Sequence, residues 1–228
     1  MDKPIVIAID GPAGAGKSTV AKEVARRLGF MYLDTGAMYR SLTLKALRHH
    51  VDLTHEDQLV ELARSTTIDL QIDKEHALKV FLDGADVTEE IRTAEVTNST
   101  FYIARLGRVR EVMVERQRAI GNAANVVAVG RDIGTVVFPH AYKKFYLDAN
   151  FEERVNRRFK EMKGKGVSAE SQDVHNDLQE RDTKDFTRKV GPLKKADDAI
   201  VIDSTHMSIP EVVQKVIEAV NEAKTCGM

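Results

Sequence analysis

The chain has 228 residues, of which 43% are hydrophobic and 30% charged, the make-up of an ordinary globular protein with ample material for one buried core. Its 34 Lys and Arg against 35 Asp and Glu leave a net charge of −1, which excludes a global positive field of the kind that coats nucleic acid, and no apolar run approaches the roughly 18 residues of a membrane span. The one cysteine, Cys226, cannot close an internal disulfide and has no metal-binding partner at ligand spacing; with a first strand starting a few residues after Met1, a cytoplasmic protein without a secretion signal is expected.

Residues 5–10 are an apolar run ending in a carboxylate, and predict a buried strand. It leads into Gly11-Pro12-Ala13-Gly14-Ala15-Gly16-Lys17-Ser18-Thr19, a G-x-x-x-x-G-K-S pattern, and then into an amphipathic helix predicted over 17–28. Strand, glycine-rich turn and helix in that order define a phosphate-binding P-loop. The glycines let successive N–H groups point inward at an anion, and the helix adds its positive end. Lys17 suits the β- and γ-phosphates of a nucleoside triphosphate, and the Ser18 hydroxyl suits a Mg²⁺ shell.

Residues 30–33 predict a second strand, and a helix follows from about Met38 to His49. Residues 68–72 and 78–82 alternate apolar and polar side chains, as half-exposed antiparallel strands do. Helices are predicted over 93–104 and 109–121, strands over 125–129 and 143–147, and a further helix behind the Asn150/Glu153 cap. A last strand over 199–202 precedes Ser208-Ile209-Pro210-Glu211, a capping box that opens a C-terminal amphipathic helix. This alternation predicts an α/β fold, a doubly wound parallel sheet with ligands at the carboxyl ends of its strands. Residues 53–92 break the rhythm, and are expected to form an insertion beside the main sheet.

Three further blocks fall where such a sheet binds ligands. Leu33-Asp34-Thr35-Gly36-Ala37-Met38-Tyr39-Arg40 ends the second strand, and Gly130-Arg131-Asp132-Ile133-Gly134-Thr135 ends the fourth. In Glu180-Arg181-Asp182-Thr183-Lys184-Asp185-Phe186-Thr187-Arg188 the spacing of Arg181, Asp185 and Arg188 gives one face if the segment is helical. Arg154, Arg157 and Arg158 form a basic stripe on the preceding helix, and Gly164 and Gly166 suit a mobile loop after it. Arg105, Arg108, Arg116 and Arg118 alternate with Glu111 and Glu115, a pattern expected of a solvated helix face. The N-K-x-D motif by which GTPases read their base is missing.

Together these blocks, in this order and over nearly the whole chain, resemble the bacterial cytidylate kinases, a family of P-loop nucleoside monophosphate kinases. The resemblance implies Mg²⁺-assisted phosphoryl transfer from ATP to CMP or dCMP, giving the nucleoside diphosphate and ADP. It implies a kinase core formed by 1–52 and 93–228 with a helical lid over about 154–188, and an inserted part of the monophosphate-binding domain over 53–92. Lys17, Arg131, Arg158 and Arg188 would act on the transferring group. ATP would be held by Gly11, Pro12, Ala13, Gly14, Ala15, Gly16, Lys17, Ser18 and Thr19 with Arg154, Arg157 and Arg158 from the lid, and Ser18 would be the metal ligand. CMP would be held by Thr35, Arg40, Thr100, Arg110, Arg131, Asp132, Arg181, Asp185 and Arg188, with Arg110 and Asp132 reading the base. The expected partners are small nucleotides, with no nucleic acid or membrane, and the chain is expected to be a monomer.

Two positions depart from the family pattern. Val129 stands where an aspartate usually precedes G-R-D, so Asp34 is the substitute expected for a metal-bound water. Phe101 stands where a serine usually helps to read cytosine, so that hydrogen bond is lost or passes to Thr100. A kinase for another acceptor, such as UMP, AMP or shikimate, and a regulatory ATP-binding module are the competing classes. The pair Arg110 and Asp132 speaks against the first, and three acceptor-side arginines against the second.

Overall fold

The computed structural model describes residues 3–164, 166 and 170–226. Five parallel strands form the main sheet: β1 (Val6–Asp10), β2 (Met31–Asp34), β6 (Val126–Val129), β7 (Lys143–Asp148) and β8 (Ile200–Asp203), in the order β2-β6-β1-β7-β8. β6 is apolar throughout and β1 is apolar up to its last residue, as buried strands of a parallel sheet are. Four of these five strands end in aspartate at the same edge, and β6 ends in Val129 instead. In register, Val129 lies between Ile9 of β1 and Asp34 of β2.

Helix α1 (Lys17–Leu28) buries Val20, Ala21, Val24 and Ala25 on the sheet. Helix α2 (Thr35–Arg48) starts three residues before its expected position, because the Asp34 carboxylate accepts the Ala37 N–H at 2.8 Å and caps the first turn. Residues 53–92 begin with a helix that the periodicity did not announce, α3 (Glu56–Ser65), and hold a small antiparallel sheet of β3 (Ile68–Ile72), β4 (Leu78–Leu82) and a two-residue β5 (Ala85–Asp86). Helices α4 (Ala94–Ala104) and α5 (Gly107–Ala123) return the chain to the main sheet.

After β6 the backbone makes a single π-helical turn (Ile133–Val137). Helices α6 (Phe151–Gly164) and α7 (Ser171–Thr187) pack on each other. Val155, Val174 and Leu178 form a small core around Ala13 of the P-loop, separate from the main one. The loop expected at 164–166 falls partly outside the described residues. Helix α8 (Ile209–Cys226) lays Val212, Val213, Val216 and Val220 against the main core, and the Glu211 carboxylate accepts from both the Ser208 N–H and its hydroxyl at 2.7 Å. Among the described residues no helix is long and apolar enough to cross a membrane.

Arg105, Arg108 and Arg118 are exposed, as their spacing suggested, and Arg116 is half-buried; two of the four also reach backbone carbonyls. Arg116 donates to the carbonyls of Thr66 and Arg64, and Arg118 to those of Val136 and Val137. Each guanidinium satisfies backbone acceptors at the end of an element that would otherwise lack a partner.

Candidate active site

The P-loop runs from the end of β1 into α1. Only glycine fits at position 11: φ is +146°, and a Cβ there would strike the Leu147 carbonyl oxygen. Gly16 caps α1 at φ +82° without supplying a side-chain acceptor, and the first turn of α1 holds no acidic residue. The N–H groups of that turn are therefore free for an anion. The Lys17 ammonium is buried and donates to the Pro12 carbonyl at 2.5 Å. Burial, followed by the charges of Arg131 and Arg181, pushes its pKa well below the usual lysine value. Ser18 and Thr19 lie exposed on the opening turn.

Asp182 on α7 closes this loop from the other side. Its carboxylate accepts the Ala13 N–H at 3.3 Å and a guanidinium N–H of Arg154 at 2.5 Å, while Arg154 also donates to the Ala13 carbonyl. The three arginines of α6 thus separate. Arg154 is buried against the P-loop backbone, Arg157 is held by Glu153 and by Ser204, and Arg158 pairs with Glu161 on the surface. Arg158 adds its charge to that of Arg181.

Cations continue from Lys17 across the cleft. Arg181, crowded first by surrounding protein and then by Arg131, is pulled down to about 10. Asp185 accepts from Arg131 Nε at 2.6 Å, and Arg188 Nη1 lies 3.8 Å from its other oxygen. Farther along, Arg40 lies 3.7 Å from Asp34, and its Nε is buried without a partner. A buried guanidinium with an idle donor costs free energy unless an acceptor arrives, and an anion of fixed geometry is that acceptor. Burial, and then Arg92 and Arg131, press the Arg40 pKa down.

Beyond this run lies a buried polar cluster. Arg110 and Asp132 form a buried ion pair, and Arg188 Nη2 approaches the other Asp132 oxygen at 3.6 Å. Arg188 Nε donates to the Gly191 carbonyl, which closes this corner with the loop after α7. The Arg110 guanidinium lies 5.7 Å over the Tyr39 ring. Tyr39 Oη and Arg110 Nε are both buried with no protein partner. Tyr39 sits inside the L-D-T-G-A-M-Y-R block, yet its type and spacing alone assigned it no role.

The structure places several expected residues differently in detail. Thr35 spends its hydroxyl proton on the Val129 carbonyl at 2.8 Å, which ties α2 to the end of β6. Thr100 donates to Val96 O at 2.7 Å and touches Thr43, so it offers a ligand lone pairs and no proton. Phe101 packs its ring 5.3 Å from the Lys184 ammonium and 5.6 Å from the Arg105 guanidinium. Arg188 leaves the helix, since α7 ends at Thr187, while Arg181 and Asp185 stay on it.

A parallel α/β sheet with a P-loop at one side of its carboxyl edge and clustered arginines at the other is the arrangement of a P-loop nucleotide kinase. The cytidylate kinase family profile matches residues 7–222, and this chain belongs to that family. It is 52% identical over 218 residues to a cytidylate kinase of Desulforamulus reducens, covering 96% of this chain and 97% of that one. A cytidylate kinase of Bacillus subtilis is 49% identical over 222 residues, covering 97% and 99%. Among solved structures, an uncharacterized protein from Eubacterium ventriosum superposes with a TM-score of 0.53 at 15% identity, over 96% of this chain and 99% of its own, a likeness of fold.

Proposed function

We propose that this chain transfers the γ-phosphoryl group of ATP to CMP and dCMP, giving the diphosphates and ADP. The observation that carries the reading is the unbroken run of cations from Lys17 on the P-loop through Arg131 and Arg181 to Arg40, close enough for each to perturb the next. Two phosphate sites that share one field are what in-line transfer between two phosphates needs.

A phosphate oxygen of CMP attacks the γ-phosphorus while the bond to the β,γ-bridging oxygen breaks and ADP leaves with the electron pair. The acceptor is already anionic, so no side chain has to remove a proton from it. Lys17, Arg131 and Arg188 hold the two anions against each other, and Arg158 from α6 adds charge on the donor side. Arg40 completes the acceptor clamp, and Arg181 and Asp185 hold the ribose.

For Mg²⁺ the donor set fits a hard cation that keeps most of its shell as water and phosphate oxygens. Ser18 offers an exposed hydroxyl beside the Tyr32 phenol, which donates to Asp34 at 3.3 Å, and the described residues contain no cluster of three His, Cys, Asp or Glu side chains that could hold the ion alone. Ser18 would therefore be the direct ligand, with Asp34 behind it through water. Bound there with ATP, the ion would neutralise charge on the β- and γ-phosphates.

Residues 53–92 would belong to the monophosphate-binding domain inserted into a core of 1–52 and 93–228, and 154–188 would supply the lid that excludes water from the transfer. A panel of CMP, dCMP, UMP, AMP and shikimate with coupled detection of ADP tests the whole reading. Turnover confined to CMP and dCMP supports it, and preference for another acceptor overturns it.

Base reading by Asp132 has its own test. Asp132→Asn breaks the pairing with Arg110 and Arg188 and offers an amide that can donate to the uracil carbonyl. CMP turnover should fall about a hundredfold, and the CMP-to-UMP ratio about tenfold. An unchanged ratio would show that the carboxylate serves Arg110 and Arg188 and does not read the base. Phe101→Ser is expected to lower the KM for CMP a few-fold, by replacing a ring held between Lys184 and Arg105 with a hydroxyl that can meet the base. Steady-state kinetics decide it, and a raised KM would mean that the ring itself packs on the nucleotide.

A further inference from the structure

Asp10 ends β1, directly before the P-loop, and is almost wholly buried. Its two oxygens are both engaged: Oδ1 accepts the Ile133 N–H at 2.8 Å, and Oδ2 accepts the Gly134 N–H at 2.7 Å. Those amides open the π-helical turn after β6, whose own bonds run from Val136 N–H and Val137 N–H back to the Asp132 carbonyl and from Phe138 N–H to the Ile133 carbonyl. The first amides of any helical turn have no partner within it, and a buried turn must find acceptors elsewhere. One carboxylate, 123 positions before Ile133 and 124 before Gly134, supplies both.

The two residues just before this turn are Arg131 and Asp132. We propose that Asp10 is a positioning residue: by gripping the Ile133 and Gly134 amides it fixes Arg131 and Asp132 relative to the P-loop that it precedes. This rests on the acceptor role given above to those two residues. Asp10 is thus the mechanical link between the donor phosphate site and the acceptor site, and neither sequence spacing nor the phosphate contacts themselves assign it that part.

The chemistry of the site explains why a carboxylate is kept. Asparagine has the same shape but one acceptor oxygen, so one of the two amides would face an N–H₂ group. Retaining the charge is costly, since burial raises the Asp10 pKa from 3.8 to about 6 in spite of both amide bonds. The groups that face it are Asp132, which raises it further, and Lys17, which lowers it; the Arg131 and Tyr146 side chains also feel its charge. With its folded pKa raised, Asp10 favours folding most below pH 3.8, and that contribution is lost as pH rises through about 6. Above that pH the carboxylate is ionised, and both of its oxygens are then pure acceptors for the Ile133 and Gly134 amides.

Two measurements test this. In Asp10→Asn, kcat/KM for CMP should fall about a hundredfold, as expected for reacting groups displaced by about 1 Å, with ATP affinity by calorimetry within about threefold of wild type. Equal loss of ATP and CMP function, or no loss of either, overturns the proposal. In the wild-type protein without nucleotide, hydrogen exchange at Ile133 and Gly134, corrected for intrinsic rates, should lose protection between pH 7.5 and pH 5 as Asp10 takes up a proton. The α1 amides should not change. Equal protection at both pH values overturns the proposal even if the variant fails to fold. A wild-type protein that ignores CMP would instead defeat the assignment of the acceptor, and the exchange result would still decide what Asp10 holds.

Discussion

Lys17→Ala is expected to lower kcat by about a thousandfold or more, a loss of roughly 4 kcal/mol, while the protein melts no lower than wild type. Both halves follow from where the ammonium sits. It is buried beside Arg131 and Arg181, and it is directed at the loop in which the β- and γ-phosphates bind. Charge on the group in transit is greatest at the transition state, so the interaction is spent on rate more than on binding. The same surroundings make the side chain a burden to the free protein. Burial and two neighbouring guanidinium groups drive its pKa down, so below its unfolded value of 10.5 the charged lysine opposes folding. Removing it relieves that opposition. Coupled ADP detection and a thermal melt in the absence of nucleotide check the two halves separately. Full turnover in the variant would show that the triphosphate lies elsewhere, and a sharp fall in melting temperature would show that Lys17 serves the fold.

What could be read from the chain, and what could not, divides along one physical line. The P-loop was legible because its chemistry lies in the backbone and in a fixed spacing that permits turns at Gly11, Gly14 and Gly16. Strands β1 and β6 were legible because burial on both faces leaves apolar runs. Arg40, Arg131 and Arg188 stood out through the resemblance of their blocks, and the structure adds the idle Nε of Arg40. Helix α3 was missed because its cap is the His55 ring, outside the usual set of capping residues, and because its buried stripe is only Leu59, Val60 and Ala63. The two-residue β5 carries no period at all. Asp10 and Asp182 were beyond reach for a different reason. Each acts through backbone amides far away in sequence, Asp182 across 169 positions to Ala13, and no local pattern encodes such a pairing. For the same reason the sequence could not show that the Thr35 hydroxyl proton goes to the Val129 carbonyl, which leaves its oxygen as an acceptor.

Arg131→Ala is expected to reduce kcat/KM for CMP by about a thousandfold, roughly 4 kcal/mol, with ATP affinity changed by less than about threefold. Arg131 lies two residues after β6, is tied to Asp185 by a 2.6 Å hydrogen bond, and raises the electrostatic stress on both Lys17 and Arg181. It is therefore the cation nearest in effect to both phosphate sites, and its charge should count most when the phosphoryl group lies between them. The fold should survive its loss. Asp185 keeps Arg188 Nη1 at 3.8 Å and is also held by Arg181, so no carboxylate is left without a counter-charge. Arg131→Lys separates charge from shape. A lysine restores the field without the planar fork, so recovery of about tenfold over alanine would assign part of the effect to charge and the remainder to paired donors. Loss of ATP binding with an unchanged KM for CMP would reverse the assignment, and place Arg131 with the donor nucleotide.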